Sequence, residues 1–170
     1  MTTRPTTDRA REAIFSILGP LEGANVIDCF AGSGALGIEA LSRGAAHATF
    51  VESDPAAARA IKDNLVRLGV DESATVLEMS VERAAPRLAR LGPFDLVLAD
   101  PPWKIAQEAA LLVARVVRGH LAPEARVLLG HPTESPIEVP ESSGLVLTDR
   151  RKWGGSGMSF YGETSDFRDL

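Results

Sequence analysis

Short apolar runs alternate with longer segments of helical periodicity along most of this 170-residue chain. The apolar runs predict five strands, at 25–30, 48–52, 75–79, 94–99 and 125–130. The periodic segments between them predict helices at 35–43, 55–68, 81–91 and 105–120. Strands and helices that alternate in this way form a mostly parallel sheet covered by helices on both faces. The central part of the chain is therefore predicted to be an α/β domain.

Both ends of the chain depart from this alternation. Residues 4–18 predict a lead-in helix, which Thr7 or Asp8 can cap. After residue 130 several prolines indicate loops, at positions 132, 136 and 140. The runs 145–147 and 158–161 then predict an antiparallel hairpin at the sheet edge, with residues 153–155 in its connection. We expect one domain over 1–170, made of the lead-in helix within 1–20, the core at 25–130 and C-terminal strands within 131–170.

Composition is that of an ordinary globular protein, with 45% hydrophobic and 24% charged residues and a net charge of −5. No apolar run approaches the roughly 20 residues that span a bilayer, and no signal segment opens the chain. The single cysteine, Cys29, is expected to pack inside a strand, so we expect a cytoplasmic protein. Three scattered histidines indicate no metal site, and we expect a monomer.

A glycine-rich turn follows the first predicted strand. Gly32, Gly34 and Gly37 satisfy the pattern G-x-G-x-x-G between a strand and a helix, and Glu52 follows Gly34 by 18 residues at the end of the second strand. Such a turn lets a ligand approach the backbone closely, and the acidic residue can accept hydrogen bonds from ribose hydroxyls. Taken alone, these residues are the fingerprint of a dinucleotide site.

Two carboxylates favour a different ligand. Asp28 precedes the glycine turn at the end of its strand, where it would repel a pyrophosphate and suit a cationic group such as the sulfonium of S-adenosylmethionine. Asp100 ends the fourth strand. Because ligands of open α/β sheets bind outside the carboxyl ends of the strands, Asp28, Glu52 and Asp100 should meet at one rim.

The tetrapeptide Asp100-Pro101-Pro102-Trp103 predicts recognition of a flat amine. Its prolines fix φ and bend the chain away from the sheet, which presents the Pro101 carbonyl and the Asp100 carboxylate as two acceptors. The indole of Trp103 offers a stacking face. Two acceptors beside a stacking plate match an exocyclic amino group on a nucleobase.

With these motifs the chain resembles the bacterial 16S rRNA guanine-N2 methyltransferases, a family of Rossmann-like enzymes that use S-adenosylmethionine. The resemblance lies in residues 4–12, 30–44, 51–54 and the tetrapeptide, and is weaker at 151–154. It implies methyl transfer to guanine N2 in the rRNA of the small ribosomal subunit. Relatives commonly carry a basic β-hairpin ahead of the segment that begins at Arg4, and the three residues that stand there are too few for one.

The resemblance and the motifs together predict the site residues. Catalytic residues are Asp100, Pro101, Pro102 and Trp103. The cofactor is expected to contact Asp28, Phe30, Ala31, Gly32, Ser33, Gly34, Glu52, Ser53, Ser80 and Asp100. RNA is expected to contact Arg4, Arg9, Arg11, Arg151, Lys152 and Trp153. The family usually has an aspartate where this chain offers Ser80 and Glu82 for the adenine.

Four alternatives remain open at this point. The same chemistry could act on adenine N6 or on a protein glutamine amide. The glycine turn could instead serve a nicotinamide-dependent oxidoreductase, or the domain could bind RNA without catalysis.

Overall fold

The computed structural model describes residues 7–164, which form one seven-stranded sheet with helices on both faces. The strands are β1 Asn25–Cys29, β2 His47–Val51, β3 Ala74–Leu77, β4 Phe94–Ala99, β5 Leu121–Pro132, β6 Leu145–Trp153 and β7 Ser156–Glu163. The helices are α1 Asp8–Leu18, α2 Ala35–Ser42, α3 Pro55–Arg67, α4 Val81–Leu91 and α5 Ala106–Val117. Short 3₁₀ turns lie at Asp71–Ser73, Trp103–Ile105 and Glu141–Ser143.

The strand order is β3-β2-β1-β4-β5-β7-β6. The first five strands are parallel, and β7 runs antiparallel to both β5 and β6. The chain order reverses between β1 and β4, which is where ligands of open α/β sheets bind. The predicted α/β fold with a C-terminal antiparallel hairpin is confirmed.

Helix starts follow the capping residues of the sequence. The side chain of Thr7 accepts the N–H of Ala10 at 3.1 Å, so Thr7 caps α1. Asp54 caps α3 through the N–H of Ala57, and proline takes the first helical position. The predicted lead-in helix begins at Asp8 in the structure, and residues 4–6 lie outside the described residues.

Two apolar clusters hold the helices on the sheet. One face buries β-strand residues against α4 and α5, with Leu88 and Val113 fully buried among them. The other face packs α1, α2 and α3 through Phe15, Phe50 and Ile61. Burial of large apolar side chains on both faces explains why the central strands read as continuous apolar runs. None of the described helices is long and apolar enough to cross a membrane.

The C-terminal strands are longer than predicted. Strand β5 covers 121–132 rather than 125–130, and Pro132 ends the strand instead of lying in a loop. Trp153 is the last residue of β6, so the connection to β7 is only Gly154-Gly155. The polar run Thr148–Lys152 resembles a loop in sequence, but charged residues are common on a strand at a sheet edge.

Candidate active site

A cleft of ≈ 400 Å³ opens at the carboxyl ends of β1, β2 and β4. Its walls come from the glycine turn, the end of β2, the start of α3 and the segment after β4. The lining residues are Arg11, Asp28, Phe30, Ala31, Gly32, Ser33, Ala35, Leu36, Glu52, Ser53, Asp54, Ala57, Asp100, Pro102 and Ile105. The cleft therefore brings together the three carboxylates that the sequence placed at one rim. Its volume is in the range of small-molecule sites.

Asp28 is held beneath the glycine turn. Its side chain is only 1% exposed, and Oδ2 accepts the backbone N–H of Gly37, in the first turn of α2, at 3.0 Å. In dinucleotide-binding folds the amides at this helix start face the pyrophosphate. In this protein one of those amides, the N–H of Gly37, donates instead to the carboxylate of Asp28.

The carboxylate of Glu52 accepts hydrogen bonds from two loops, the glycine turn and the segment before α3. Oε1 accepts the N–H of Gly32 at 2.7 Å, and Oε2 accepts the N–H of Asp54 at 2.8 Å. A carboxylate oxygen has room for a second hydrogen bond, so both atoms can still accept from a ligand. Glu52 therefore fixes the glycine turn against the start of α3 and presents two acceptors to the cleft.

The turn itself needs backbone conformations that most residues avoid. Phe30 has φ of +56°, and Gly32 and Gly34 have φ of +56° and +81°. A phenylalanine in this region is uncommon, and such outliers concentrate at functional sites. Gly37 has a different role, because a Cβ there would overlap the ring of Phe50. This glycine lets α2 pack closely on β2.

On the other side of the cleft, the segment after β4 turns at two prolines. Asp100 and Pro102 line the cleft, whereas Pro101 is buried. The carbonyl of Pro102 accepts the N–H of Ile105 at 3.1 Å, which forms the 3₁₀ turn that carries Trp103. A Cβ on Gly155 would lie 3.4 Å from Cη2 of Trp103, so the β6–β7 turn adjoins this indole.

A smaller pocket adjoins the cleft beside the end of β3. It shares Phe30, Glu52 and Ser53 with the cleft and continues to Met79, Ser80, Val81 and Glu82. Ser80 also caps α4, since its hydroxyl accepts the N–H of Arg83 at 3.3 Å. The region that the sequence offers for an adenine is thus continuous with the main cleft.

Electrostatics at the rim favour a cationic ligand. Burial raises the pKa of Asp28 well above its ordinary value, the hydrogen bond from Gly37 opposes this, and the negative charges of Asp100 and Glu52 raise the pKa further. A positive charge in the cleft would relieve this repulsion. Within residues 7–164, no group of three or more acidic, histidine or cysteine side chains is placed to hold a metal ion. The negative charges of Glu52 and Asp100 around Asp28 suit a cationic ligand.

Comparison with known proteins gives the family. Residues 1–162 match the family described as "Conserved hypothetical protein 95". This chain belongs to that family. It is 40% identical over 162 residues to YlbH of Bacillus subtilis, named as a candidate rRNA methyltransferase, covering 94% of this chain and 87% of the relative.

A named relative and a solved structure, both from Escherichia coli, agree with this assignment. Ribosomal RNA small subunit methyltransferase D is 40% identical over 79% of this chain and 67% of the relative. The solved structure of yhhF, described as a candidate methyltransferase, superposes with a TM-score of 0.77 at 36% identity, covering 95% of this chain and 89% of that one. The resemblance and the Rossmann-like methyltransferase fold predicted from the sequence are confirmed.

Most of the residues predicted to contact the cofactor line the cleft. Gly34 does not, because it lies behind the turn, where a Cβ would meet Ile61 at 3.1 Å. Ser80 lines only the adjoining pocket. Of the tetrapeptide, Pro101 and Trp103 are absent from the cleft lining, and Trp103 lies beside the hairpin turn instead.

The predicted RNA contacts separate into different surroundings. Arg11 lines the cleft and pairs with Asp8 at 2.9 Å and Glu39 at 3.6 Å. Arg151 pairs with Asp149 at 2.8 Å. Arg9, Lys152 and Trp153 lie together in a second groove, and Arg4 lies outside the described residues.

Sequence reasoning missed several apolar walls of the cleft. They are Ala35, Leu36, Ala57 and Ile105. The first two follow the glycine turn directly, so their place at the start of α2 was a usable signal. Ala57 and Ile105 carry no chemical signature, and only the packing of α3 and of the segment after β4 brings them to the cleft.

Proposed function

We propose that this protein transfers a methyl group from S-adenosylmethionine to the exocyclic N2 amino group of a guanine in 16S rRNA. The observation that carries the proposal is the hydrogen bond from Gly37 to the buried Asp28. A pyrophosphate would meet a carboxylate at this place, and a nicotinamide dinucleotide is therefore disfavoured. The E. coli relative named as a small-subunit rRNA methyltransferase supports the choice of substrate.

The residues present fit the proposed cofactor. Asp28 would face its cationic end, Glu52 would accept hydrogen bonds from the ribose hydroxyls, and the pocket beside Ser80 would take the adenine. The turn residues Phe30–Gly34 and the neighbouring Ser53 would enclose it. When bound, S-adenosylmethionine supplies an electrophilic methyl group. Every other contribution comes from how the chain holds the two reactants together.

For the amine, the proposed residues are those of the tetrapeptide. Asp100 and the carbonyl of Pro101 would accept its two N–H groups, while the carbonyl of Pro102 already accepts the N–H of Ile105. Such acceptance turns the nitrogen lone pair toward the cleft. Trp103 would stack on the base and exclude water from one side. The amine can release its proton after methylation, so no general base is required.

On the RNA side, we assign contacts to the predicted basic residues and Trp153, with the rRNA or the small subunit as partner. Those contacts are Arg4, Arg9, Arg11, Arg151, Lys152 and Trp153. Arg11 and Arg151 would have to exchange their present carboxylate partners for phosphates. The protein would act as a monomer in the cytoplasm.

The test uses 30S subunits from cells that lack the protein, with nucleoside mass spectrometry after incubation with purified protein and S-adenosylmethionine. We expect N2-methylguanosine in 16S rRNA with wild type, none with Asp100→Ala, and normal yield with Asp63→Ala on the exposed face of α3. Both variants should bind S-adenosylhomocysteine. N6-methyladenosine, or methylated protein glutamine, would reassign the substrate. Tight NADH binding without binding of S-adenosylhomocysteine would refute the proposed chemistry.

A further inference from the structure

A second groove, of ≈ 440 Å³, lies where the start of α1 meets the end of the β6–β7 hairpin. We call it the hairpin groove. Its lining residues are Thr7, Arg9, Lys152, Trp153 and Gly154. Two elements that are far apart in sequence each supply one cation, and the hairpin supplies an indole. The groove contains no acidic lining residue.

The two cations of the hairpin groove are available to a ligand. Both Arg9 and Lys152 are exposed. Within residues 7–164, neither Arg9 nor Lys152 forms an ion pair, whereas the neighbouring Arg11 and Arg151 each pair with an aspartate. Trp153 is half-buried, with part of its ring against the apolar cluster of the α1 face and part lining the groove. The groove thus presents positive charge beside an aromatic edge, which suits a nucleotide phosphate and base.

The hairpin turn lies between this groove and the indole of Trp103, the residue that follows Pro102 of the cleft. Gly154 lines the groove, while its neighbour Gly155 adjoins the indole of Trp103. Thr133 holds the turn, because its hydroxyl donates to the carbonyl of Gly154 at 2.9 Å and its N–H donates to the carbonyl of Gly155 at 2.8 Å. With no side chain at either position, a sugar–phosphate backbone can pass closely over the turn.

We propose that the hairpin groove binds a single-stranded nucleotide next to the target base, with its phosphate on Arg9 and Lys152 and its base on Trp153. The inference rests on the proposed function, since it takes the target base to lie beside Trp103. It goes beyond that function by separating Arg9 and Lys152 from the other basic residues. A strand that crosses Gly154-Gly155 joins the groove to the cleft.

Salt dependence of RNA binding tests the phosphate contacts. The probe is a 12-nucleotide single-stranded RNA of mixed sequence, bound in the presence of S-adenosylhomocysteine at several salt concentrations. Each lost phosphate contact reduces the slope of log K against log salt by about 0.7 for single strands. We expect Arg9→Gln and Lys152→Gln each to show this reduction, and the double variant about twice as much. Lys62→Gln is the matched control, because Lys62 is exposed on α3 at the opposite end of the sheet.

A second pair of variants tests the stacking contact. Trp153→Phe keeps an aromatic ring and should retain most of the RNA affinity, whereas Trp153→Leu keeps the apolar packing alone and should lose roughly tenfold. Thermal midpoints check that both variants are folded. If the Leu and Phe variants bind RNA with equal affinity, no base stacks on Trp153.

The outcomes separate this inference from the proposed function. The inference would be overturned, even if 16S rRNA is methylated, by either of two results. One is that the salt-dependence slopes of Arg9→Gln and Lys152→Gln equal the slope of Lys62→Gln. The other is that the wild-type protein shows no salt-dependent RNA binding. Reduced slopes together with no methylation of 30S subunits would retain the groove and reject the proposed function.

Discussion

Gly130 and Asp100 lie so close that a side chain on the first would occupy the place of the second. A Cβ on Gly130 would overlap Oδ1 of Asp100 and would lie 3.4 Å from its Cα. Gly130 is on β5, next to the residue that pairs with the last residue of β4. The glycine therefore fixes where the carboxylate after β4 can sit.

The first prediction concerns this relationship. Gly130→Ala should displace the Asp100 carboxylate and lower kcat for rRNA methylation by about a hundredfold, because misplacement by 1 Å is enough for such a loss. Binding of S-adenosylhomocysteine, measured by calorimetry, should change far less. Gly162→Ala on β7 is the matched control, since a Cβ there would make an ordinary contact of 3.6 Å with Thr148. Wild-type kcat in the Gly130 variant would contradict the placement of Asp100.

A second prediction follows from the charge of Asp28. Asp28→Asn should weaken binding of the cationic S-adenosylmethionine by on the order of tenfold more than binding of neutral S-adenosylhomocysteine. In wild type the same preference should grow with pH, because the pKa of Asp28 is raised and ionisation of the carboxylate strengthens attraction to the sulfonium. Titration calorimetry of both ligands across a pH series measures this.

The Asp28→Asn variant also provides its own folding control. A buried ionised carboxylate with a raised pKa destabilises the folded state as pH rises through that pKa. The asparagine variant should therefore be at least as stable as wild type at pH 8. Equal losses of affinity for the two ligands would show that Asp28 acts through shape and not through charge.

A third prediction concerns Glu52. Glu52→Gln replaces an oxygen with an amide donor that would face the N–H of Gly32 or of Asp54. Hydrogen bonds to charged groups contribute about 1.5–3 kcal/mol, so the dissociation constant for S-adenosylhomocysteine should rise by about tenfold or more. The control is Glu72→Gln, in an exposed 3₁₀ turn. An unchanged dissociation constant would remove Glu52 from the ribose site.

A fourth prediction uses a buried histidine that joins β5 to the hairpin. Nδ1 of His131 lies 2.9 Å from the carbonyl of Pro132, and Nε2 lies 2.7 Å from Oγ of Ser159. Because Arg150 already donates to Oγ of Ser159 at 2.8 Å, the hydroxyl can donate to Nε2 while Nδ1–H donates to Pro132. The bonding pattern thus fits a neutral imidazole.

Stability should therefore fall in acid through His131. Burial lowers its pKa from the ordinary 6.5, and the nearby Arg150 lowers the pKa further, although the bond to Pro132 opposes this. The unfolded chain takes up a proton first, so the stabilisation is complete above about pH 6.5 and is lost as pH falls toward the folded-state pKa. Urea unfolding from pH 8 to 5 measures the slope. His131→Gln should lose this pH step and His120→Gln should keep it.

Much of the fold was predictable because local signals and tertiary structure agree. Apolar runs became buried parallel strands, and Thr7, Asp54 and Ser80 each cap the helix that follows. The convergence of Asp28, Glu52 and Asp100 was predictable from topology, since each lies in the last two residues of a parallel strand or directly after one. These inferences need only the strand order at the switch point.

Other features depend on packing that a linear pattern does not contain. The length of β6 was missed because a charged edge strand has no apolar alternation to reveal it. The cleft walls at Ala57 and Ile105 come from the approach of whole elements. The division of the basic residues into paired and unpaired ones depends on carboxylates such as Asp149 and Glu39, whose side-chain positions the sequence does not give.

The direction of β6 has a consequence for how such enzymes can diversify. Because β7 is antiparallel to both of its neighbours, β6 runs in the same direction as β5 and ends at the rim where the cleft opens. The two-residue turn between β6 and β7 therefore lies at the outer edge of that rim. Insertions there would reshape the surface offered to RNA while leaving the parallel strands and the glycine turn untouched. Target choice could thus evolve by loop exchange on an unchanged catalytic core.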